Sequence, residues 1–204
     1  MIVVGKLIRS VAAGAAALSL LLSACATASP PEATFVATDI TGAAFARDFS
    51  LTDHNGQVRT LADFRGQVVA IFFGYTHCPD VCPTTLADFA AALQQLGDQA
   101  ERVQVLFVTV DPERDTPQLL REFVPAFNPS FLGMYTDADA LKKLAQEYKV
   151  VYEKSSVRGA DDYLIDHSAG TFVYDMRGQL RLLVPYGSDA ESIAQDLRTL
   201  LSES

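Results

Sequence analysis

Apolar residues fall along this chain in two rhythms, and their alternation predicts the elements. Gln67 to Phe73 is a nearly continuous run of apolar, β-branched and aromatic residues, the pattern of a strand buried on both faces. Val103 to Val110 repeats that pattern and ends at Asp111-Pro112. Between them, Thr84 to Leu96 sets Leu86, Phe89, Ala90, Leu93 and Leu96 at helical spacing, the inner face of an amphipathic helix. Pro117 to Phe127 predicts a second helix, with Thr116 as N-cap and proline at the first helical position. Phe131 to Tyr135 predicts a short strand, and Asp139 to Tyr148 a third helix with Leu141, Leu144 and Ala145 inward. Val150 to Lys154 is short and extended, and Ser155 to Asp162 a polar loop. Ser168 to Tyr174 and Gln179 to Pro185 predict a hairpin about Arg177-Gly178, and Asp189 to Leu201 a closing helix. Near the start, Phe45 to Leu51 and then Asp53-His54-Asn55-Gly56 predict a strand and a tight turn, because Asn-Gly accepts the left-handed backbone of hairpin turns.

Strands that alternate with helices and end in a hairpin and a last helix make a three-layer α/β domain. The order β–α–β–α–β–β–α resembles the thioredoxin-like fold, with an N-terminal β-hairpin and an inserted helical segment. Phe72, Phe73, Phe107, Val108 and Val110 are core in this reading.

The first residues follow another logic. Lys6 and Arg9 precede an apolar run from Val11 to Leu22, the pattern of a secretory signal. The run is shorter than the roughly 20 apolar residues of a membrane-spanning helix, so an uncleaved anchor is the lesser reading. Leu22-Ser23-Ala24-Cys25 resembles a bacterial lipobox, which implies a signal peptide over 1–24, lipidation at Cys25 and a domain facing the periplasm. Residues 25–37, with Pro30 and Pro31, read as a flexible tether, and 38–204 as one domain. The composition, 49% hydrophobic and 20% charged, is that of a globular protein. A formal net charge of −9 and the lack of any basic block exclude a nucleic-acid partner.

Candidate chemistry comes from the cysteines. The chain has three. With Cys25 taken by lipid, Cys78 and Cys82 remain, three residues between them, in an oxidising compartment. Such a pair is a disulfide, a redox couple or a metal site. The loop Gly74-Tyr75-Thr76-His77-Cys78-Pro79-Asp80-Val81-Cys82-Pro83 follows a buried strand and precedes a helix, where ligand chemistry gathers in open α/β sheets. A helix N-terminus there favours thiolate. Residues i and i+4 on a helical turn face one way, so both sulfurs can converge on one point. Pro83, lacking an N–H, is expected to make that turn irregular.

A metal needs further ligands. Of the three histidines, His54 reads as an exposed turn residue and His77, adjacent to Cys78, diverges from it. His167 stands just before the hairpin strand, where a thioredoxin-like fold brings the chain beside the cysteine loop. Two thiolates and an imidazole suit copper and leave zinc possible.

The blocks GYTHCPDVCPTTL (74–86), VTVDPERDTP (108–117) and DYLIDHSAGTFVYD (162–175) resemble the Sco/SenC family of copper-binding proteins. The resemblance implies that Cys78, Cys82 and His167 bind a copper ion, Cu(I) or Cu(II), on a membrane-tethered domain. It also implies delivery of copper to the binuclear copper centre of cytochrome c oxidase during assembly, with the copper-centre subunit or another copper chaperone as partner. The alternative is a thiol–disulfide oxidoreductase that reduces the cysteines of a partner's copper site, which needs Cys78 and Cys82 but not His167. A peroxidase fits worst, since Thr76 stands two residues before Cys78 rather than three. No residue is assigned a catalytic role.

Three further features carry two readings each. Asp111 to Pro117 reads as an Arg114–carboxylate clamp with a Thr116 helix cap, or as a loop supporting the thiols or docking a partner. Asp161, Asp162 and Asp166 are solvated acids, or one of them orients the His167 imidazole. Tyr75 and Tyr163 screen the site or edge the core.

Overall fold

Seven consecutive buried residues, Val68–Gly74 (β4), form the centre of the sheet. The computed structural model describes residues 34–156 and 163–203. Strand β5 (Val103–Thr109) runs parallel to β4 in register from Val68↔Val103 to Gly74↔Thr109, and β9 (Thr171–Tyr174) lies antiparallel on its other side. β6 (Leu132–Tyr135) extends the sheet beyond β5, followed by the hairpin of β2 (Ser50–Asp53) and β3 (Val58–Thr60). β10 (Leu180–Val184) and β1 (Thr38–Asp39) complete the other edge, giving the order β1-β10-β9-β4-β5-β6-β2-β3. Helices α1 (Val81–Leu96), α2 (Pro117–Phe123), α3 (Ala138–Tyr148) and α4 (Ala190–Ser202) cover the sheet, α1 packed on α4. This is the thioredoxin-like α/β architecture that the order of elements predicts.

Local chemistry sets the helix starts. The side chains of Thr116, Asp137 and Asp189 accept the backbone N–H of Leu119, Ala140 and Ser192, donors that have no partner inside the helix. Pro125, which cannot donate, ends α2 and turns the chain into a 3-10 helix over Val124–Ala126.

Five expectations are corrected. α1 begins at Val81 rather than Thr84, and its first turn is regular: Thr84 N–H bonds Asp80 O at 3.1 Å. Pro83 sits where a helix needs no N–H, so it leaves no bond unmade. His54 is buried rather than exposed, 5% accessible, because its Nδ1 accepts the Gly133 N–H and its carbonyl accepts from Arg121. Tyr163–His167 (β8) is a strand in its own right, paired with β7 (Tyr152–Ser156) in a two-stranded ribbon separate from the main sheet, Tyr152 opposite His167. The segment read as a tether through Ala37 is held before it ends. Asp196 of α4 accepts the N–H groups of Val36 and Ala37 at 2.7 and 2.8 Å. The signal peptide, Cys25, Asp161 and Asp162 lie outside the described residues. Among the described residues no helix is long and apolar enough to cross a membrane.

Candidate metal centre

Cys78 lies in the loop after β4, and Cys82 one turn on, in the first turn of α1. The spacing of four brings the residues together: Cys82 N–H donates to Cys78 Sγ at 3.4 Å. Cys82 is fully buried, Cys78 half-buried, and both thiols are free. His167, the last residue of β8, places Nε2 3.4 Å from Cys82 Sγ. Its Nδ1 lies 3.0 Å from the Ser168 carbonyl, which fixes the proton on Nδ1 and turns the Nε2 lone pair toward the sulfurs. The donor atoms of Cys78, Cys82 and His167 all lie within 4.8 Å of one another. Ligands at about 2.0–2.3 Å around a trigonal ion stand roughly 3.8–4.0 Å apart, so this set fits one with small adjustments.

Burial dominates the electrostatics. It pushes the Cys82 thiol well above the ordinary range, the hydrogen bond with Cys78 adding to the effect. Here desolvation outweighs the pull of the helix N-terminus toward thiolate. Burial likewise lowers the His167 pKa, opposed by its bond to Ser168 and by Asp166. Both groups are neutral near pH 7, and the imidazole stands edge-on to the rings of Phe72 and Tyr75, each 5.9 Å away. A cavity of about 230 Å³ opens over Cys78 and His167, walled by Pro79, Asp80, Val81 and Leu164. An ion held here is approached from the Cys78–His167 side, with Cys82 beneath it.

The family model described as SCO1/SenC matches residues 37–202. The chain belongs to the SCO1/SenC family. It is 41% identical over 150 residues to the bovine mitochondrial protein SCO2 homolog, covering 72% of this chain and 55% of that protein. To the mouse protein SCO2 homolog it is 36% identical over 153 residues, 74% of this chain and 60% of that one. It thus spans little more than half the length of these curated relatives. Bradyrhizobium japonicum ScoI, solved with copper bound, superposes with a TM-score of 0.69 at 36% identity, covering 76% of this chain and 98% of that one. Apo Sco1 of Thermus thermophilus gives 0.73 at 41% identity, covering 84% and 100%.

Of the residues the sequence put forward in this Sco-family chain, the structure brings Cys78, Cys82 and His167 together and leaves two histidines apart. His77 is exposed, its Nδ1 3.0 Å from Thr76 Oγ and 3.8 Å from Asp115. His54 serves the β2–β3 turn. The clamp and cap readings of the acidic loop both hold: Arg114 Nε bonds Asp111 and Thr116 caps α2. Among the described residues no carboxylate bonds His167; the Ser168 carbonyl orients it, and Asp166 is exposed. Tyr75 is both core and wall of the site: it is 2% accessible, lines the cavity, and its hydroxyl accepts the Ile165 N–H at 3.1 Å.

Gly74 carries a role that its sequence does not announce, since a glycine ending a strand reads as a turn former. A Cβ added there would stand 2.8 Å from both Cys82 Sγ and the Phe107 ring, and 2.9 Å from the Phe72 ring. Gly74→Ala is therefore expected to destabilise the metal-free domain by about 1–3 kcal/mol through overpacking, as well as displace the Cys82 sulfur. Thermal unfolding of the metal-free variant checks this, and an unchanged midpoint would show that the wall around Cys82 yields freely.

Proposed function

We propose that the chain is a copper metallochaperone that delivers copper to the binuclear copper centre of cytochrome c oxidase during its assembly. The observation that carries this reading is the convergence of the Cys78, Cys82 and His167 donors within 4.8 Å, with the Nε2 lone pair turned toward the sulfurs. Soft thiolates select Cu(I), and imidazole serves either oxidation state. Among the described residues no fourth His, Cys, Asp or Glu joins the group, as a closed structural zinc site would require. The family relative Bradyrhizobium japonicum ScoI was solved with copper bound. Copper is cargo here. A partner's thiolate or imidazole enters through the cavity, replaces the half-buried Cys78 and His167 first, and leaves Cys82 for last. The lipobox-like Leu22-Ser23-Ala24-Cys25 supports a lipid anchor at Cys25 and a domain facing the periplasm, where a membrane-bound copper-centre subunit or another copper chaperone is met.

The second reading, a thiol–disulfide oxidoreductase acting on the cysteines of that partner, is favoured by the free, adjacent thiols. The two separate on His167. Copper-loaded wild type and His167→Ala are mixed with the metal-free copper-centre subunit, and both the copper received and the partner's free thiols are counted. Delivery predicts that the variant loads the partner at least tenfold less while reducing thiols as well as wild type does. A variant that loads the partner normally would take His167 out of the delivery reading, and a wild type that reduces the partner's thiols without loading it would end the delivery proposal.

A further inference from the structure

The half-sites of the metal centre belong to different structures. The cysteine loop continues β4 of the main sheet, whereas His167 ends β8, which among the described residues pairs only with β7. Sheet register therefore does not fix the imidazole against the sulfurs. Beyond its covalent continuation into β9 at Thr171, β8 is docked by side chains, one of them Tyr75 of the cysteine loop itself, whose hydroxyl accepts the Ile165 N–H at 3.1 Å. Asp111 accepts the Tyr163 hydroxyl at 2.7 Å, Arg114 Nη1 donates to the Tyr163 carbonyl at 2.9 Å, and the Arg114 guanidinium lies 3.5 Å over the Tyr163 ring. Arg114 Nε bonds Asp111, closing the clamp. The same β5–α2 loop grips the other half-site: the buried Asp115 carboxylate accepts the Thr76 N–H at 3.0 Å, the Thr76 hydroxyl at 2.6 Å and the Thr109 hydroxyl at 2.6 Å. Arg114 Nη2 is buried without a hydrogen-bond partner. A donor left so costs about 1–3 kcal/mol, which a purely stabilising contact would not be expected to retain.

From these contacts we infer that Arg114, with Asp111 and Tyr163, is a positioning residue for the metal centre. One loop holds the cysteine turn through Asp115 and the histidine strand through Arg114, and so acts with the Tyr75–Ile165 bond to set the distance from imidazole to sulfur. The inference rests on the copper-site reading above and adds to it a group that touches neither the ion nor any ligand. Groups that orient a ligand from behind change metal affinity by about 10–100-fold when removed.

The test is a double-mutant cycle on the copper affinity of the full chain, measured by competition with a Cu(I) chelator. Arg114→Ala is expected to weaken binding about tenfold in the wild-type background and less than twofold in His167→Ala, because its effect passes through that imidazole. The sulfur-to-copper charge-transfer band of copper-loaded Arg114→Ala should move to that of His167→Ala. Tyr163→Phe removes only the hydroxyl contact and carries the same cycle, with a smaller effect, should Arg114→Ala fold poorly. An equal loss in both backgrounds, or none in either, overturns the inference. If His167→Ala itself binds copper as wild type does, the copper-site reading is what fails.

Discussion

Exchanging Cys82 for serine is expected to lower copper affinity by about 10²–10³-fold while leaving the fold intact. Binding of a structural metal by four ligands is worth roughly 10–16 kcal/mol near pH 7, or about 2.5–4 kcal/mol for each ligand. Cys82 is the donor least open to substitution by water, being fully buried between α1 and the wall made by Gly74. Serine keeps the size of the side chain and a polar atom opposite His167 Nε2, so thermal unfolding of the metal-free protein should change little. Cys78→Ser should follow closely. His167→Ala should weaken binding less, since two thiolates still bridge a linear ion. Chelator competition on all three variants gives the order, and a Cys82→Ser protein within threefold of wild type would remove the sulfur pair from the metal site.

The second large effect is on pH. Burial raises the Cys82 thiol, so the metal-free protein keeps that proton across the neutral range and copper must displace it. Affinity should therefore climb at least tenfold per pH unit between about pH 6 and 8, with at least one proton released per copper bound. Burial lowers the His167 pKa, so the imidazole stays neutral below its ordinary value near 6.5 and adds no downturn there. A flat profile would mean that Cys82 binds without losing a proton or does not bind. The same histidine shift acts on the metal-free fold. The unfolded chain takes up the proton first, so the stability contribution is complete above about pH 6.5 and is lost as pH falls through the lower folded value.

The sheet was legible because its strands are unbroken apolar runs: Val68–Gly74 and Val103–Thr109 fall within one residue of where burial pattern alone puts them. The Thr116 cap was equally plain, being a side chain that acts on its own turn. What escaped depended on contacts distant in sequence. His54 looked like a turn residue because its acceptor role toward Gly133 lies 79 residues away. Tyr163–His167 gave no strand signal, since its partner is a short polar strand and its hold on the domain runs through Arg114, 49 residues earlier. The two cysteines were visible as a pair, and His167 as a candidate, from types and spacing. Their state was not: whether the helix start or burial governs the Cys82 thiol depends on how deep the sulfur lies, and Gly74, which sets that depth, carries no side chain to betray it.

X-ray absorption at the copper edge of the freshly loaded, reduced domain addresses the donor set most directly. Two sulfurs at about 2.3 Å and one nitrogen at about 2.0 Å are expected, with the nitrogen lost in His167→Ala. A shell with fewer than two sulfurs, or a nitrogen that survives that substitution, would contradict a centre built from Cys78, Cys82 and His167.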